Sequence, residues 1–376
     1  MSLKSSICAG LLLGGLTVNA LAQPALKDAY KPFFHIGAAL NPAQFTETNA
    51  QGAALVKAQF DSISPENVLK WALVHPRPDA YAFAASDQYV AFGEKNHMFI
   101  VGHCLVWHSQ VPAWVFQDDK GAPLDRDGLL KRMRDHISTV VGRYKGRING
   151  WDVVNEALNE DGTLRQSPWM KIIGEDYIAK AFQFAHEADP QAELYYNDYS
   201  LEGNAAKRKG AVDLIKKLKA QGVAITAVGL QGHISLDSPS IQQMDQAIAA
   251  FKELGVKVAI TELDVDVLPS PNRSMSADVG QTAQAQAGSN PYTGGLPDAV
   301  VQTQTKRYAD LFGVFLKYRG TLTRVTFWGV TDGDSWKNNF PVRGRTNYPL
   351  LFDRQGAPKP AFDAVIRAAR AIPGTR

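Results

Sequence analysis

Eight short apolar runs alternate with stretches of helical spacing along this chain, and that alternation constrains the fold more than any other feature. The runs are residues 34–40, 59–64, 98–107, 147–156, 193–198, 226–233, 257–264 and 324–330. Between them, residues 86–96, 127–142, 169–188, 204–220, 240–254 and 300–318 repeat apolar side chains at three- and four-residue intervals, and 360–371 would be the closing helix. Gly222 and Gly255 stand just after two of these stretches, where helix C-caps belong. Strand and helix alternating eight times is the pattern of a parallel (β/α)8 barrel, a TIM barrel of the α/β class in a single domain. A doubly wound open sheet would not ordinarily use eight units, and no glycine-rich phosphate loop follows the first run.

The chain has 376 residues, 45% hydrophobic and 20% charged, enough for the large core a barrel needs. Its formal net charge of +3 argues against a dedicated nucleic-acid binder. The one short basic run, Lys207-Arg208-Lys209, opens a helix and is expected to face solvent. Residues 1–22 read as an export signal. Lys4 supplies the positive start, residues 7–18 the apolar centre, and Ala20-Leu21-Ala22 the small-x-small cleavage site. Cutting there would leave Gln23 first and deliver the catalytic part, residues 23–376, to the periplasm or the medium, with no membrane attachment. Cys8 would leave with the signal, so Cys104 would be the sole cysteine and no internal disulfide could form. Residues 269–297, rich in Pro, Ser, Gly, Ala, Gln and Asn, form a long loop after the seventh run, on the face where a barrel keeps its chemistry. They are expected to border the aglycone side of a cleft.

Two runs end in acids. Trp151-Asp152-Val153-Val154-Asn155-Glu156 and Ile260-Thr261-Glu262-Leu263-Asp264 each bring a glutamate to the same end of a buried strand. Nothing in an apolar core calls for a carboxylate there, and a pair of them is the arrangement of glycoside hydrolysis. Strand alternation puts Gln231 with His233, and Glu262 with Asp264, on shared faces. An inward carboxylate pair needs a partner, and His233 on the neighbouring strand is the obvious one. Trp107, Trp328 and Trp336 fall at strand ends beside polar groups, where indole faces suit the C–H faces of sugar rings. Trp71 and Trp151 read as packing, Cys104 as a small buried residue, and His35, His75, His97, His136 and His186 as ordinary structural histidines. His103 and His108 lack the spacing of a zinc site, so neither metal nor cofactor is expected.

On these residues the chain resembles the endo-1,4-β-xylanases of glycoside hydrolase family 10 over essentially its whole length after the signal. The matching segments, in order, are Pro65-Glu66-Asn67 with Lys70-Trp71, Gly102-His103 with Leu105-Val106-Trp107-His108, and Trp151 through Glu156. Tyr196-Asn197-Asp198-Tyr199, Gly229 through His233, Ile260 through Asp264, and Thr326-Phe327-Trp328-Gly329 follow. The resemblance implies Glu156 as acid/base and Glu262 as nucleophile, with His233 and Asp264 orienting the nucleophile. It implies that Asn155 holds the sugar 2-hydroxyl and that Gln231 lies near both glutamates. Glu66, Asn67, Lys70, His103, Trp107, Tyr199, Gln231, His233, Trp328 and Trp336 join Asn155 as substrate-binding residues. The implied partners are xylan and xylo-oligosaccharides, with the enzyme a monomer. A barrel glycosidase for another polysaccharide, a non-catalytic sugar-binding protein and a two-lobed solute-binding protein are the competing classes.

Overall fold

A computed structural model describes residues 24–269 and 288–373; the expected signal and most of the 269–297 loop lie outside the described residues. Among the described residues nine strands form the sheet: β1 His35–Leu40, β2 Ser62–Pro65, β3 Phe99–Val106, β4 Gly150–Asn155, β5 Glu193–Asp198, β6 Ala227–Leu230, β7 His233–Ser235, β8 Lys257–Asp266 and β9 Leu322–Phe327. All pairings are parallel. The ring closes because β9 pairs β1, with His35 opposite Arg324, while β6 pairs β8, with Ala227 opposite Lys257. β7 only prolongs β6. The sixth run breaks at Gly232, whose φ of +77° is left-handed and suits a residue without Cβ, and β7 resumes alongside Asp264. The eightfold expectation therefore holds with one strand in two pieces.

Two apolar regions support the ring. A small inner cluster of Val101, Tyr195 and Ala227, with Phe99 against it, lies apart from the main core. The main core gathers the opposite faces of the strands, Trp151 and Ile260 among them, with the apolar stripes of the helices. The last helix, Pro360–Arg370, shows the logic: Phe362, Val365, Ile366 and Ala369 recur at helical spacing and are all buried. Truncating Phe362 to Ala would cost about 3–5 kcal/mol.

Several boundaries differ from the sequence reading. The fourth run enters the sheet only at Gly150, because Arg147 and Ile148 close a turn onto the carbonyl of Tyr144. The eighth spans Leu322–Phe327, and Trp328 to Val330 turn away through Gly329 at φ +130°. The helix expected over 169–188 is two, Pro168–Ile173 and Tyr177–Ala188, separated at Gly174 with φ +93°. Ala50–Gln59 is a helix that the spacing did not announce, since its buried face is Gly52, Ala53, Val56 and Gln59.

The solvent-facing basic run holds at Lys209 but fails at Lys207. Lys207 does not face solvent; it has no exposed surface, and its Nζ lies 2.9 Å from Oδ1 of the equally buried Asp198. Asn204 caps the helix Ala205–Ala220, and this orients the first turn inward at Lys207. Lys209, two residues on, does point outward and pairs with Asp213. The described ends of the long loop rest on the connection after β9. The Pro269 carbonyl accepts from Arg345, Asn290 accepts from the Thr346 amide, and the Tyr292 carbonyl accepts from Tyr348. That connection also bears Trp336, Phe340 and Arg343, which line a groove with Glu66 and Asn67.

Candidate active site

The carboxyl ends of the strands converge on two glutamates, Glu156 and Glu262, which are 7% and 5% exposed. Glu156 follows β4 directly and has a left-handed φ of +56°, unusual for a residue with a side chain. Its amide donates to the Asn197 carbonyl at 2.9 Å, and its own carbonyl accepts from Arg165 Nε at 3.1 Å. These contacts hold the turn that swings the carboxyl inward. There Oε1 accepts from Gln231 Nε2 and Oε2 from Trp107 Nε1, both at 2.9 Å. His108 Nδ1 stands 3.9 Å from Oε2. Burial raises the pKa of Glu156, the Asp198 carboxylate adds to this, and Glu262 contributes in the same direction.

Glu262, on β8, is held in the opposite sense. Oε1 accepts from Asn197 Nδ2 at 2.8 Å and Oε2 contacts His233 Nε2 at 3.1 Å. The other His233 nitrogen, Nδ1, lies 3.0 Å from Asp264 Oδ2, which also accepts from Trp336 Nε1 at 2.8 Å. With a carboxylate at each ring nitrogen, His233 needs a hydrogen on both, so it is an imidazolium. Burial works against that charge, but Asp264 and Glu262 outweigh it and push its pKa up to about 9. Burial alone would raise Glu262 as well. His233, His103 and the Asn197 bond overcome it, and the pKa of Glu262 falls below its ordinary value. Two glutamates alike in water are thus driven apart, one toward holding a proton and one toward giving it up.

Asn155 lies between them. Asn197 is oriented by Glu262 on one side and by Thr261 Oγ1, which donates to its oxygen, on the other. Its amide therefore donates to Asn155 Oδ1, at 2.9 Å. A groove of about 840 Å³ beside the glutamates is lined by Glu66, Asn67, Lys70, Trp328, Trp336 and Arg343, among others. Lys70 Nζ bonds Asn67 Oδ1 at 3.1 Å and sits 5.0 Å from the centre of the Trp107 ring. Trp336 stacks on Phe340 and tilts over His233. His103 Nδ1 is tied to Asp152 Oδ2 at 2.9 Å, and the ring meets Trp328 edge-on.

The expected site residues are therefore brought together, with two qualifications. Trp107, expected as a sugar platform, also bonds Glu156 directly. Tyr199 lies at the margin, its hydroxyl accepting from Arg165 and its ring 3.1 Å from Lys207 Nζ. Five contributors had no site role in the sequence analysis: Asn197, Asp152, Asp198, Arg165 and Lys207. Asp152, Asn197 and Asp198 carried a signal, a polar side chain in an apolar strand; Arg165 and Lys207 lie outside the strands and carried none. Cys104 is buried, and burial pushes its thiol up, so it is inert. Trp71 and His136 stack 3.6 Å apart in the core.

The sequence profile described as Glycosyl hydrolase family 10 matches residues 25–368. The chain belongs to that family. It is 45% identical over 363 residues to endo-1,4-beta-xylanase A of Xylanibacter ruminicola, covering 96% of this chain and 98% of that protein. It is 42% identical over 346 residues to the beta-1,4-xylanase of Dictyoglomus thermophilum, covering 92% and 91%. Among solved structures, a GH10 endoxylanase retrieved from a sugarcane soil metagenome superposes with a TM-score of 0.88 at 46% identity, covering 91% of this chain and 99% of that one. As a family 10 member the chain is a glycoside hydrolase that works with retention, on a single (β/α)8 barrel. No helix among the described residues is long and apolar enough to cross a membrane.

Proposed function

We propose that this family 10 enzyme cleaves β-1,4-linked xylan internally by double displacement, with Glu262 as nucleophile and Glu156 as acid/base. The observation that carries the assignment is the opposed environment of the two carboxyls. Glu262 is bonded by an imidazolium and an amide, which favour its charge; Glu156 is buried against other carboxylates, which favours its proton. In the first step Glu262 attacks the anomeric carbon while Glu156 protonates the departing oxygen. The glycosyl-enzyme that forms removes the charge of Glu262. Glu156, now a carboxylate, takes a proton from the water that releases the sugar. Asn155 holds the 2-hydroxyl, and Glu66, Asn67, Lys70, Trp328 and Trp336 hold the glycone. The xylanase names of the relatives support xylan as substrate.

The test is kinetic. Glu156→Ala should slow unactivated xylo-oligosaccharides far more than aryl xylosides with good leaving groups, by about the 10²–10⁴-fold that general acid catalysis supplies. Azide should rescue that variant and give the β-azide. Glu262→Ala should lose both activities. An α-azide, or equal losses on the two substrates in Glu156→Ala, would overturn the roles. Cellulose run beside xylan tests the substrate, since a comparable rate on soluble cellulose would exclude a xylan-specific site. Residues 1–22 are proposed as the export segment, and exported protein should begin at Gln23; an intact Met1 on exported protein would refute this.

A further inference from the structure

Behind Glu156 lies an ion pair that the reaction as described does not use. Lys207 and Asp198 are both without exposed surface, Nζ to Oδ1 at 2.9 Å. Asp198 ends β5, and its carboxylate is further bonded by the Tyr196 hydroxyl at Oδ2 and by the Tyr199 amide at Oδ1. Its carbonyl accepts from the amide of Gln231, whose side chain bonds Glu156, and the carbonyl of its neighbour Asn197 accepts from Glu156 itself. Lys207 reaches the cluster from the first turn of the helix Ala205–Ala220, with half-exposed Glu160 3.4 Å away and the Tyr199 ring beneath it. An ammonium and a carboxylate withdrawn together from water are a poor source of stability, so their presence beside a titrating group calls for another account.

We propose that Lys207 is a positioning residue: by keeping Asp198 a carboxylate behind Glu156, it keeps on Glu156 the proton that the leaving group needs. Without Lys207, a wholly buried Asp198 takes up a proton of its own, and the negative charge behind Glu156 is gone. The other charged or titratable groups facing Glu156 are Glu262 from β8, His108 after β3, Arg165 from the connection after β4, and Lys70 and Cys104 from the walls. Asp198 meets Tyr196, Tyr177, Arg165 and Lys207. Burial raises the pKa of Asp198, and Lys207, its nearest cation, is the strongest influence in the other direction; among the charged neighbours of Glu156, Asp198 acts most strongly. The inference rests on Glu156 being the acid/base.

The experiment compares wild type, Lys207→Met, the doubly neutral Asp198→Asn/Lys207→Met, and Glu156→Ala. It reads kcat/KM against pH on xylotetraose and on an aryl xyloside with a good leaving group. The double variant removes both charges together and so leaves neither stranded; it decides the question if Lys207→Met fails to fold. Expected for both variants is a basic limb displaced to lower pH by on the order of one unit on xylotetraose, the effect of one nearby buried charge. The acid limb, set by Glu262, stays in place, and the aryl xyloside, which needs no proton, shows no such displacement. A double variant whose profile superposes on wild type, or moves to higher pH, overturns the proposal. Glu156→Ala separates the two failures. If it spares xylotetraose the acid/base assignment is wrong; if it collapses xylotetraose turnover while the double variant matches wild type, only the role of Lys207 is wrong.

Discussion

Glu156 occupies a backbone conformation that costs a residue with a side chain on the order of 1–3 kcal/mol. The bonds of its amide to Asn197 and its carbonyl to Arg165 hold it there. Asn197 is the busiest of these small polar residues, since one amide serves Glu262 and Asn155 while its backbone serves Glu156. Asn197→Ala removes a hydrogen bond to a charged oxygen, worth about 1.5–3 kcal/mol, so kcat/KM should fall about 10- to 100-fold on aryl xylosides as well as on oligosaccharides. Steady-state kinetics on a folded variant check this, and a loss under about twofold would remove Asn197 from the machinery. His233 lowers the pKa of Glu262, so removing it lets that pKa rise. His233→Asn should accordingly move the acid limb of the pH–rate profile to higher pH; an unmoved limb would mean that the imidazolium does not hold the nucleophile charged.

Between elements, the helix Arg126–Arg143 docks on the short helix Trp71–Val74 through an aromatic stack that includes two histidines. His136 lies 3.6 Å from Trp71, nearly parallel, and its Nδ1 meets His75 Nδ1 at 3.1 Å. Two facing ring nitrogens share one hydrogen, so the pair is stable with His136 neutral. Burial, with His75 adding to it, holds the pKa of His136 well below its ordinary value. The unfolded chain binds this proton below about pH 6.5 and the folded one does not, so stability falls with acidification by up to 1.36 kcal/mol per pH unit. His136→Phe should keep the stack, lose about 1 kcal/mol at neutral pH with the His75 bond, and flatten the acid side of a plot of Tm against pH. An acid slope equal to wild type would show that another group sets it.

Over the whole molecule the site imposes a second slope of opposite sign. The folded pKa of His233, about 9, lies above its unfolded value near 6.5. Its contribution to stability is complete below about pH 6.5 and is lost as pH rises through 9. With His136 acting below the same point, these two groups together favour the folded state most near pH 6.5, and His233→Asn should flatten the alkaline slope. Calorimetry from pH 5 to 10 tests this, and an alkaline slope unchanged in the variant would refute it. The barrel itself was legible because its signal is local. A strand buried on both faces has to be apolar along its length, and a helix covering it has to carry an apolar stripe, so the sequence by itself determined the eight units, their order and the acids at their ends. Helix 50–59 was hidden because small residues bury without leaving a stripe. The pairing of Lys207 with Asp198, the bond from Trp107 to Glu156 and the opposed proton affinities of two like glutamates are set by distances between residues up to 106 positions apart along the chain. Charge and hydrogen bonding act through space and depend on burial, so only the closed barrel, which brings those strand ends together away from water, decided them.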